Sequence, residues 1–217
     1  MAGKRRSLAL LTGIAVLSAA LIGFELALSN VFAVLLQYHY ISVVVSLALF
    51  GIGVGALFVY RGGKAGTEGA AESVAPFSAV SLWTGVCIAF IGIFLAVYPY
   101  TDHLFLYAVL AGVPFLLFGW AVGIAFSALR EHTASVYAAD LIGAGAGVGL
   151  AFAVMNLWGG LQAVRFFGVL AAAAGLVCPL IAGRFRSERR LWKAAAAALL
   201  PLAAFLPGVI PGVNLAV

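Results

Sequence analysis

Apolar residues in this chain come in long unbroken runs. They show neither the alternation of a half-buried strand nor the single apolar stripe of a soluble amphipathic helix. Seven runs approach or exceed the ~20 residues that a helix needs to cross bilayer hydrocarbon. They are Leu8–Ser29, Ile41–Tyr60, Pro76–Tyr98, Leu104–Leu129, Val136–Trp158, Leu161–Ala182 and Ala194–Val217. The pattern predicts an all-α integral membrane protein of about seven transmembrane helices, a single polytopic domain over residues 1–217. The stretch 62–74, GGKAGTEGAAESV, is the one flexible, soluble-looking loop.

Two runs need more than a count. The first follows Lys4-Arg5-Arg6 and contains Ser18-Ala19-Ala20, the pattern of a cleaved leader. We read it as a retained helix. Its apolar character continues past Ser29-Asn30 to Leu36, which as one helix is about 45 Å against about 30 Å of hydrocarbon. A break near Ser29-Asn30 is expected, followed by a short amphipathic segment, Val31–Gln37, at the interface. The last run contains Pro201, Pro207 and Pro211 and either spans or re-enters.

Charge sets an orientation. Of 12 Lys and Arg, all but Arg165 fall on one side when the runs alternate: Lys4, Arg5, Arg6, Arg61, Lys64, Arg130, Arg184, Arg186, Arg189, Arg190 and Lys193. Basic residues gather on the cytoplasmic side, so the N-terminus is expected in the cytoplasm of a bacterial-type inner membrane. With 65% hydrophobic and 9% charged residues and a mean hydropathy of +1.17, the chain has too little polar surface for a soluble enzyme. The net charge of +5 suits a lipid bilayer better than nucleic acid, because the basic residues are spread over loops. Cys87 and Cys178 lie inside apolar runs and read as core residues.

The run from Asp140 through Gly143, Gly145, Gly147 and Gly149 has the look of a nucleotide-binding turn. Such a turn must follow a buried strand and open a helix. Here it lies within an apolar run, and Gly143/Gly147 and Gly145/Gly149 instead form small-xxx-small pairs that let helices approach closely. Gly51 and Gly55 repeat the spacing in the second run. That run and the fifth have opposite directions, so runs one to three and four to six are candidates for an inverted repeat.

Glu25 and Asp140 are the acids within apolar runs, where a carboxylate costs about 2.5–3.5 kcal/mol. Each is either part of a proton or cation relay or a hydrogen-bonded structural group, and their opposite depths argue against a direct pair. Tyr38-His39-Tyr40 and Tyr98–His103 map to the far side, as an interfacial aromatic belt or a His/Asp metal site. The belt is the expected form, with no metal and no cofactor. Arg184–Lys193 reads as a headgroup anchor or a docking surface.

Two segments carry a resemblance. Gly23-Phe-Glu25-Leu-Ala-Leu-Ser29-Asn30, continuing into Val44–Gly55, and Val136-Tyr137-Ala-Ala-Asp140-Leu-Ile-Gly143 are similar to motifs of membrane-spanning spermidine synthase-like proteins. The resemblance implies that Glu25, Tyr137, Asp140 and Gly143 occupy that family's motif positions. Family members commonly add a C-terminal Rossmann-type aminopropyltransferase domain, and this sequence reaches Val217 before one. The expectation is therefore a non-catalytic membrane subunit that anchors or organises a larger complex, with a spermidine synthase-like protein as one candidate partner. The alternative is a small secondary carrier for a cationic metabolite such as a polyamine.

Overall fold

The computed structural model describes residues 2–35, 41–61, 70–98 and 104–183. They form six α-helices: α1 (Ala2–Leu35), α2 (Ile41–Arg61), α3 (Ala70–Val97), α4 (Leu104–Ala128), α5 (Thr133–Trp158) and α6 (Gly160–Ala182). A 3₁₀ turn, Arg130–His132, joins α4 to α5. There is no strand among the described residues, and all six helices are long and apolar enough to cross a membrane. The expected seventh run, 194–217, and the basic stretch 184–193 lie outside the described residues.

Two expectations are corrected. α1 does not break at Ser29-Asn30 but continues as one helix of 34 residues. The reason is tertiary: Val31 and Phe32 are buried, and the Phe32 ring meets Tyr107 of α4 edge-on at 6.0 Å. Residues 36–40 lie outside the described residues. The loop placed at 62–74 is shorter at its C-terminal end, because α3 already starts at Ala70 with Glu72 in its first turn. An acid there complements the positive end of the helix.

α1 is the centre of the bundle. Leu10, Ile14, Leu17, Leu21, Phe24 and Leu28 are fully buried along it, and it packs mainly against α5 and α6. The segment that a leader reading would remove is thus the one around which the core is built. Between α1 and α5 the backbones nearly touch. A methyl group on Gly143 would overlap the Ala15 carbonyl, and one on Gly147 the Ala19 carbonyl. In lipid, where burial of apolar area brings little gain, such close van der Waals packing is what holds helices together.

The two halves of the chain pack alike. Exchanging α1 with α4, α2 with α5 and α3 with α6 maps the principal contacts onto one another. α1 lies along α5 and α6, α4 along α2 and α3, and α3 and α6 along each other. The central crossing is reciprocal. A Cβ on Gly85 would sit 2.7 Å from the Gly168 carbonyl oxygen and 2.7 Å from the Ala172 nitrogen. One on Gly168 would sit 3.2 Å from the Gly85 oxygen and 3.1 Å from the Ala89 nitrogen. Further out, Gly92 faces Arg165 Cγ, and Gly175 faces Leu82 Cγ. α2 and α5 agree as well: Gly51, Gly55, Gly143 and Gly147 are seated on neighbouring backbone, while Gly53 and Gly145 meet nothing within 4 Å among the described residues.

This is the packing of an inverted-topology repeat about a pseudo-two-fold axis through the Gly85–Gly168 crossing. It is incomplete, since α1 also touches α3 and α5 touches α6 without counterparts of similar extent among the described residues. α1, α3 and α5 run one way and α2, α4 and α6 the other. Lys4–Arg6, Arg61 and Arg130 therefore share one end of the bundle, and Arg165 lies towards the opposite end.

Pro179 lies inside α6 and has no N–H to give the carbonyl of Gly175, four residues earlier. Ser78 of α3 donates its Oγ–H to that carbonyl, so a polar group freed inside the bundle is satisfied by a neighbouring helix. Ser81 and Thr84 on α3 bond back to the carbonyls of Phe77 and Val80, each at 2.9 Å, and bring no unpaired hydroxyl into the core.

Candidate functional site

Asp140 lies in the second turn of α5 after Val136, and the helix packs so that its carboxylate meets α1. Ser18 of α1, itself buried, donates its Oγ–H to Asp140 Oδ1. This bond sits beside the Gly143–Ala15 and Gly147–Ala19 contacts, so the acid ties the same interface that the glycines close. Tyr137, one turn earlier, is exposed.

Glu25 lies seven residues beyond Ser18, about two helical turns and ~10 Å along α1. It is half-buried, and among the described residues no hydrogen bond or ion pair joins it to Asp140 or to another side chain. The two acids therefore belong to different levels of the bundle.

The glycine set divides. Gly51 packs on Phe115 and Leu116, and Gly55 on Leu116, Gly119 and Trp120, all of α4. Gly143 and Gly147 pack on α1, whereas Gly145 and Gly149, expected in the same kind of contact, are exposed with nothing within 4 Å among the described residues. The reason is helical geometry: positions two apart differ by about 200° around the axis, so alternate glycines cannot share a partner. α5 consequently buries a single stripe, Val136, Gly143, Gly147, Ala151 and Val154. Leu141, Ile142, Phe152, Leu157 and Trp158 are exposed around it.

At the end of the bundle opposite Lys4–Arg6, aromatic rings gather. Phe94 meets Tyr98 at 5.5 Å and Tyr107 at 5.7 Å, and the Tyr107 hydroxyl donates to the Tyr98 carbonyl at 2.6 Å. That bond ties the end of α3 to the start of α4. Tyr38, His39, Tyr40, Asp102 and His103 lie outside the described residues. Among the described residues no group of His, Cys, Asp and Glu is arranged to hold a metal ion.

Arg165 entered the sequence reading only as the exception in the charge distribution, with no role given to it. Arg165 on α6 is only 7% exposed, and among the described residues its Nε has no hydrogen-bond partner. One turn earlier, Gln162 Oε1 is likewise buried and unpaired. The available signal was charge: Arg165 is the lone exception to the distribution of basic residues along the chain. No protein-family model, no curated protein and no solved structure matches this chain.

Proposed function

We propose that the chain is a non-catalytic integral membrane subunit of a bacterial-type inner membrane. Its N-terminus lies in the cytoplasm, and it anchors or organises a larger complex. The observation that carries this reading is α5, which is seated on one stripe and largely exposed around it, with Gly145 and Gly149 open, among the described residues, on a surface of large apolar side chains. A small-residue pair on a lipid-facing helix is the form that close helix association takes. The bond from Ser18 further supports a structural Asp140. The resemblance of the Glu25 and Asp140 segments suggests a spermidine synthase-like protein as the partner to look for first.

Gentle purification followed by identification of co-purifying chains tests the proposal. A partner in fixed stoichiometry is expected, and Gly149→Leu should release it while leaving the isolated chain folded. A chain that remains alone in every mild detergent would sink the proposal.

The inverted repeat favours a second reading, because many carriers are built this way. That reading is a small secondary carrier for a cationic metabolite such as a polyamine. The acids separate the two. In a subunit, Asp140→Asn keeps much of the bond to Ser18 and is mild, while Asp140→Leu strands the hydroxyl and costs about 1–3 kcal/mol. In a carrier, Asp140→Asn and Glu25→Gln abolish spermidine uptake into proteoliposomes with the fold intact, because transport needs the charge.

A further inference from the structure

We propose that Arg165, Gln162 and the N-terminus of α6 form a binding site for a phosphate group at the end of the bundle opposite Lys4–Arg6. The first ground is the arginine itself. It is more than nine-tenths buried, inside a helix apolar enough to span a membrane, with Nε unpaired among the described residues. An ionisable group at such a place is costly and marks a site unless a partner accounts for it. Glu25 of α1 lies at a comparable height, since Gly23 meets Phe167 and Asn30 meets Gly160, yet no ion pair joins it to Arg165 among the described residues.

The fold supplies its own control. Arg165 packs its Cγ against Gly92, and in the other half Leu82 packs its Cγ against Gly175 in the equivalent contact. A leucine is therefore sufficient to fill this position. The guanidinium is not there to pack, and its charge answers to something else.

The surroundings point to an anion. Helical side chains lean towards the N-terminus of their own helix, so the head of Arg165 rises from about 8 Å below the start of α6 towards that end. The start of α6 has no side-chain cap. Asn30 brings its side-chain oxygen near Gly160, but the free N–H groups and the positive end of the helix dipole remain. Gln162, one turn from Arg165, leaves its buried Oε1 without a partner among the described residues, so nothing there holds the amide against turning its N–H₂ donors towards an anion. A guanidinium fork and a helix N-terminus together favour phosphate, and the end of a helix long enough to cross a bilayer can reach its headgroups. The phosphate belongs either to a lipid headgroup or to a soluble phosphoester.

The test uses the full chain purified in a phosphate-free, non-ionic detergent. Thermal unfolding is followed by tryptophan fluorescence with added inorganic phosphate, short-chain phosphatidylglycerol or a phosphate-free galactolipid. Phosphatidylglycerol should raise the midpoint and the galactolipid should not. A rise with inorganic phosphate as well assigns a soluble phosphoester, and a rise with the lipid alone assigns a headgroup.

Arg165→Leu should weaken the response about tenfold or more, the loss of hydrogen bonds to a charged group. Without ligand it should be at least as stable as the parent chain, as expected when an unpaired buried charge gives way to an apolar residue. Arg165→Lys, which keeps charge but loses the fork, should respond weakly and serves if the leucine variant does not fold. Equal responses in the parent and both variants, or none to either phosphate source, would overturn the proposal.

Discussion

Pro179 removes a donor from α6 and Ser78 returns one from α3, so neither residue can be understood alone. Ser78→Ala leaves the Gly175 carbonyl unpaired in an apolar bundle, an expected loss of about 1–3 kcal/mol. In a Pro179→Ala background the helix regains its own N–H, and the same substitution should cost much less. A double-mutant cycle on unfolding measures this coupling, expected in the range of about 0.5–3 kcal/mol for groups in contact. Equal penalties in the two backgrounds would disprove it. At this scale the sequence is legible only in part. Pro179 announces a free carbonyl at Gly175, but nothing in the one-dimensional pattern names Ser78, 97 positions earlier, as its partner. Arg165 is visible as a stray charge, whereas its burial and its correspondence to Leu82 exist only once α3 and α6 cross.

Helices were the most legible feature, because hydrocarbon thickness imposes a length that apolar runs must match. The bounds of α2, α4 and α6 follow the runs to within a residue or so at either end. α1 departs because hydropathy reports where lipid begins, while the packing of Val31 and Phe32 decides where the helix stops. The glycines show the same limit: their spacing announces close contact, but only the packing tells which two of each set are seated. Gly147→Leu and Gly55→Leu should each destabilise the fold by about 1–3 kcal/mol, through methylenes forced against backbone. Gly145→Leu and Gly53→Leu enter open space and should leave unfolding of the isolated chain nearly unchanged. Matched thermal melts of the four variants check this, and equal losses would refute the assignment of faces.

Across the whole molecule the inverted repeat was foreshadowed by glycines in α2 and α5, which differ in position by 92. The central helices correspond instead with an offset of 83, as Gly85 and Gly168 show. No single shift aligns both pairs, so the relation stays hidden in the sequence and emerges from reciprocal contacts. The repeat also fixes which loops share an end of the bundle, and the charge bias predicts that the end with Lys4–Arg6 and Arg130 is cytoplasmic. Single-cysteine probes decide it. Cysteine at Glu131 should be labelled by a membrane-impermeant thiol reagent only from the cytoplasm, and cysteine at Asn156 only from the opposite side. Cys87 is half-buried and Cys178 buried, so both should contribute little background. The reverse labelling would invert the topology.

The Ser78–Gly175 bond also bears on the order of biosynthesis. α3 leaves the ribosome well before α6, so its hydroxyl is already in the membrane when the proline-bearing helix arrives. Released alone into lipid, α6 would carry an exposed carbonyl and an unpaired arginine, each disfavoured by several kcal/mol or less in hydrocarbon. The translocating machinery should therefore retain α6 until α3 is alongside. A nascent chain with Ser78 replaced by alanine is expected to linger there longer than its parent.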